Sequence, residues 1–61
     1  MLLQDEIAEC AAELVRTFGS DALGLIASVA EGHHKAGDDE SAFVCRLIAT
    51  EIVQITSAFK F

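Results

Sequence analysis

His33-His34-Lys35-Ala36-Gly37-Asp38-Asp39-Glu40 is the stretch on which the fold turns. Side chains able to carry positive charge precede a glycine, and acids follow it. Cations suit the C-terminal end of a helix dipole, and acids suit the N-terminal end. Glycine most readily takes the left-handed backbone that closes a helix. Aspartate accepts hydrogen bonds from the free amides that open one. One helix therefore stops near Ala36 and another starts at Asp39, with a sharp reversal between them.

Toward the N-terminus, Gly19-Ser20-Asp21 repeats the pattern. The glycine reads as a helix stop, the serine as an N-cap, and the aspartate as an acid in the next first turn. Helices are expected at 3–18, 21–36 and 39–59. The chain has no proline, no strand-like alternation and no internal repeat.

Placing each helix on a wheel of about 100° per residue sorts its faces. In the first, Leu3, Ile7, Cys10, Leu14 and Phe18 form the core stripe. Glu6, Glu9 and Glu13 form an acidic ridge on one side, and Ala8, Ala12 and Val15 a small-residue flank on the other. The second helix is apolar almost all round, with a narrow polar strip of Asp21, Gly24, Ser28, Glu31 and Lys35. Such a helix is expected at the centre, covered from two sides. The third has its stripe at Val44, Ile48, Ile52, Ile55 and Phe59, while Arg46, Thr50 and Ser57 mark a wet face. Short joints make neighbouring helices antiparallel. The expected fold is all-α: one domain over residues 1–61, an up-down-up three-helix bundle. The alternative is a dimer in which two chains complete one larger core.

The chain has 61 residues, 52% of them hydrophobic, and a net charge of −6. A compact chain of this mass exposes roughly 3,800 Å², and domains this small often need a staple or an oligomer. Two cysteines, Cys10 and Cys45, make no disulfide scaffold. The first residues lack the basic-then-apolar pattern of a signal peptide, and no uncharged run approaches the ~20 residues that span a bilayer. The expected setting is the reducing cytoplasm. Four scattered basic residues (Arg16, Lys35, Arg46 and Lys60) argue against nucleic acid and against anionic membranes.

The residues that could carry function are apolar. Phe43, Leu47 and Val53 lie off the main stripe of the third helix and have no obvious place in a one-sided core. They are the expected protein interface, with Phe61 at the C-terminus as an aromatic addition. The plain alternative is that they pack under the first helix or are ordinary exposed apolar residues. Leu47→Asp is expected to lower the mass in solution while leaving helicity largely intact.

Catalytic, cofactor and metal sites are not expected. His33 and His34 are adjacent, so their side chains diverge by about 100° on a helix, and no C-x-x-C, H-x-x-x-H or H-E-x-x-H spacing accompanies them. His33 falls on the core line, where it would seal the end of the bundle, and His34 falls toward solvent. Protonating both would move the charge by two units, a modest pH lever. Cys10 and Cys45 read as small core hydrophobes, because nothing local supplies a base or a lowered thiol pKa. Asp38-Asp39-Glu40 lacks the ligand spacing of a calcium loop, and helix capping accounts for it.

Gly19-Ser20-Asp21-Ala22, then Ala36-Gly37-Asp38 with Ser41-Ala42 and Cys45-Arg46-Leu47-Ile48, resembles a family of small alphaproteobacterial helical proteins of unknown function. The resemblance covers residues from about 9 to 55 and runs mostly through helix caps and core positions. Those proteins often carry tryptophan where this chain has Cys45. The resemblance implies a compact helical protein and carries over no functional residue. The functional expectation is a non-enzymatic interaction protein that self-associates as a homodimer. The alternative is a monomeric inhibitor or antitoxin-like regulator of one protein target.

Overall fold

The structure is a computed structural model and describes residues 4–58. Its elements are α1 (Gln4–Phe18), a 3-10 turn (Gly19–Asp21), α2 (Ala22–Lys35) and α3 (Asp39–Ala58). No strand occurs among the described residues. The chain is all-helical, and the helix ends at Phe18, Ala22, Lys35 and Asp39 lie within a residue of their expected positions, while the expected outer ends at 3 and 59 lie outside the described residues.

The two joints differ in kind. At the second, Gly37 takes φ +83°. Its N–H donates to the His34 carbonyl at 3.0 Å, and the Asp38 N–H donates to the His33 carbonyl at 2.8 Å. This paired closure satisfies carbonyls that the end of α2 would leave free. Asp38 then caps α3, its Oδ1 accepting from the Ser41 N–H at 3.2 Å. The chain reverses here as its charge pattern predicts.

The first joint is a bend. Gly19 has φ +58°, but the chain passes through a 3-10 turn straight into α2. Ser20 does not cap α2: the position preceding Ala22 is Asp21, at φ −83° and ψ −10°, and no side chain caps there. An N-cap needs extended backbone to aim its oxygen at the first turn. Here the Ala22 N–H donates to the Gly19 carbonyl instead. From Gln4 to Lys35 the chain is one bent helical run.

That bend moves the centre of the fold. α3 packs against both α1 and α2, which make little contact with each other. The central helix is therefore α3, not α2. The core consists of Ile7 and Ala11 from α1, Ala22, Ile26 and Ala30 from α2, and Cys45, Ile48 and Ile52 from α3. Alanines at the crossings let helix axes approach toward the ~8 Å end of the usual range. The core is narrow in consequence, and among the described residues Ile52 is the one large side chain less than 2% exposed.

Two stripe expectations fail in α1. Cys10 is exposed and Phe18 is 46% exposed, whereas Ala11 is fully buried. α1 presents its alanine side to α3, so its contact line is rotated away from the bulkier stripe. Small residues allow the closest approach and the most backbone burial, which here outweighs the extra area of Phe18.

Candidate interaction surface

The sides of α3 are assigned by their partners. On the α1 side, the Gln4 side-chain amide donates to Glu51 Oε2 at 2.8 Å. On the α2 side, Arg46 and Ala49 share a shallow recess with Ala27, Ala30, Glu31 and His34. The outer side of α3 faces neither helix, and the expected interface residues can be placed against that frame.

Phe43 is 61% exposed, the most exposed large apolar side chain among the described residues. Val53 is 45% exposed, but ten residues along α3 place it about 15 Å from Phe43 along the helix axis. Leu47 is half-buried and packs against the core, so it belongs partly to the fold. Phe61 lies outside the described residues, as do Leu3 and Phe59. Phe43 and Leu47 share one patch, and Val53 is separate from it.

Beside Phe43 lies an open groove of about 720 Å³. Ile7 of α1 lines it together with Glu40, Ser41, Phe43, Val44, Cys45 and Leu47 of α3. The lining is mostly apolar, and one acid, Glu40, stands at the N-terminal end of α3.

A second exposed apolar region was missed in the sequence. Leu23, Leu25 and Val29 on α2 all stand between 40% and 43% exposed. The expectation that a central α2 would be covered on two sides fails because α1 bends away from it. The informative signal was the line Ala22, Ile26 and Ala30, spaced at i, i+4, which is the contact line the helix uses.

The polar groups cluster at the α2–α3 joint. His33 Nδ1 lies 3.6 Å from Asp38 Oδ2, and His34 Nδ1 lies 3.2 Å from Asp39 Oδ1. Each histidine faces its own aspartate across the turn, so the pair does not converge on one point. Among the described residues no group of three or more His, Cys, Asp or Glu could hold a metal ion. The Ser41 hydroxyl and then its backbone N–H hold the Asp38 carboxyl below its ordinary value, slight burial opposes them, and the nearby His33 assists. This is the electrostatics of a helix cap.

The remaining cations are largely committed. Arg16 pairs with Glu13 at 2.8 Å, and Lys35 lies 3.9 Å from Glu31. Among the described residues no helix is long and apolar enough to cross a membrane. No family model, curated protein or solved structure matches the chain.

Proposed function

We propose that this chain is a small, non-enzymatic protein–protein interaction module that self-associates, a second copy completing the helical bundle that α1, α2 and α3 leave open. The observation that carries this reading is surface area. The chain exposes 4490 Å², against roughly 3,800 Å² for a compact chain of its mass. The excess of roughly 700 Å² is close to the ~800 Å² that each partner buries in a standard interface. It is accompanied, among the described residues, by six large apolar side chains at least 40% exposed, which is where such surface favours association.

The chemistry of the partner follows from the charge. A net charge of −6, with Arg16 and Lys35 beside glutamates, favours a protein over nucleic acid or an anionic membrane. An exposed Cys10 beside an unpaired, buried Cys45 suits a reducing compartment such as the cytoplasm. The titratable groups that lie together sit at a helix joint, where capping accounts for them.

Sedimentation equilibrium from micromolar to millimolar concentration tests the proposal. A mass rising to twice that of one chain is the expected result. A chain that stays monomeric throughout, and that recovers one stoichiometric protein partner, is instead a monomeric regulator of the inhibitor or antitoxin type.

A further inference from the structure

Three features meet on one patch of α3. Phe43 projects into solvent at 61% exposure. An open apolar groove of about 720 Å³ begins beside it, between Ile7 and the Val44–Leu47 side of α3. The charges along the helix are asymmetric about it: Asp39 and Glu40 precede Phe43 in the first turn of α3, and Arg46 follows. A knob and a hole on the same patch are what a two-fold, isologous interface requires, because each copy must supply both.

We infer that two copies pair through α3 in antiparallel orientation, with Phe43 close to the two-fold axis and each Phe43 ring entering the groove of the other copy. The inference rests on the self-association proposed above and specifies its geometry. Glu40 and Arg46 lie three residues on either side of Phe43, about 4.5 Å along the axis in each direction. Round the helix, Arg46 and Asp39 lie on the same flank of Phe43 and Glu40 on the other, at about 100° per residue, so an antiparallel pair centred on Phe43 brings Arg46 within about 1.5 Å of the level of Asp39 of the partner subunit, on the flank they share. A parallel pair would instead align the acids of both first turns, where like charges repel. In this orientation an acidic chain can associate with itself without opposing its acidic clusters.

The competing apolar region, Leu23, Leu25 and Val29 on α2, has no charged residue on α2 between Asp21 and Glu31 to set against a charge of a second copy. A shallow recess of about 250 Å³ between α2 and α3 is lined by Ala27, Ala30, Glu31 and His34 with Arg46 and Ala49.

The test combines cross-linking with charge reversal in the full chain. Phe43→Cys and Leu25→Cys are each made in a Cys10→Ser background, Cys45 being buried, and circular dichroism verifies folding. Under mild oxidation, Phe43→Cys is expected to give a covalent dimer and Leu25→Cys to remain largely uncrosslinked. Arg46→Glu, with Arg16→Glu as a control of equal charge change, is expected to raise the dimer dissociation constant about tenfold at low salt, while the control moves it little. A dimeric wild type in which Leu25→Cys cross-links and Phe43→Cys does not overturns the pairing and leaves self-association standing. A dimer indifferent to Arg46→Glu overturns the antiparallel orientation. A wild type that is monomeric at millimolar concentration overturns both readings.

Discussion

The Gln4 amide donates to the Glu51 carboxylate at 2.8 Å, joining residues 47 apart in the chain. The bond ties the first turn of α1 to the middle of α3 and so helps to set where the bent run lies on the central helix. Both side chains reach across the outside of the contact, and the bond is exposed. A hydrogen bond to a charged group can contribute more than a neutral one, but solvent competition keeps exposed interactions small.

A double-mutant cycle measures it. Gln4→Ala and Glu51→Ala should each cost less than about 1 kcal/mol, with a coupling of about 0.5 kcal/mol. Urea unfolding at fixed protein concentration gives the values, since association makes apparent stability concentration-dependent. A coupling indistinguishable from zero would show that apolar contacts alone set the register of α1.

Asp38 should matter more than its exposure suggests. Its carboxylate accepts from the Ser41 N–H at 3.2 Å and opens α3, the helix on which the whole fold packs. Asp38→Ala should lower the melting temperature measurably, as loss of an N-cap does. The sign of its pH dependence follows from the lowered carboxyl pKa. The folded state binds the proton less readily than the unfolded chain, so the stabilisation is complete above the ordinary aspartate value near pH ~4 and is lost as pH falls through the folded value. Thermal melts of wild type and Asp38→Ala should therefore begin to converge as pH falls below about 4 and meet only below the lowered folded value. A gap that persists unchanged into strong acid would contradict the capping role.

The two thiols should be chemically distinct. Cys10 is exposed, whereas Cys45 is 8% exposed within the core. In the native protein an aromatic disulfide reagent should titrate one thiol promptly. The second should react only as fast as the fold opens, and denaturant should make both react at once. Cys10→Ser should leave the slow phase and remove the fast one. Two thiols reacting at the same native rate would place α1 on α3 in a different rotation.

That rotation marks where sequence patterning ran out. The charge and glycine pattern around Gly37 specified the second joint and an aspartate cap for α3, because local electrostatics and one backbone conformation decide it. The wheel of α3 correctly placed Ile48 and Ile52 in the core and Phe43 and Val53 outside it. The wheel of α1 pointed to Phe18 and Cys10, because a hydrophobic stripe ranks residues by side-chain area. The structure keeps Ile7 and Leu14 of that stripe on the core but adds Ala11 in place of Cys10 and Phe18, a choice set by how closely two helix axes can approach, which belongs to the pair of helices and not to either alone. The first joint failed for a related reason. Gly19-Ser20 can end one helix and cap another, or bend a continuous run, and only the packing of α3 against both halves distinguishes these. The exposed side chains of α2 follow from that bend.

Phe43 and Leu47 are one helical turn apart, and substituting each separates interface from core. Phe43 is 61% exposed in the single chain, so Phe43→Asp should leave the unfolding free energy of the isolated chain within about 0.5 kcal/mol while shifting the mass in solution toward one chain. Leu47 is half-buried and packs on the core cluster. Leu47→Asp therefore forces a carboxylate against apolar groups at a cost of order 2 kcal/mol, so it should lower helicity or melting temperature as well as mass. This corrects the sequence-based expectation that Leu47→Asp leaves the helices largely intact. Light scattering and circular dichroism on the same samples distinguish the two effects. A Phe43→Asp protein that stays associated would exclude Phe43 from the interface, whatever Leu47→Asp does.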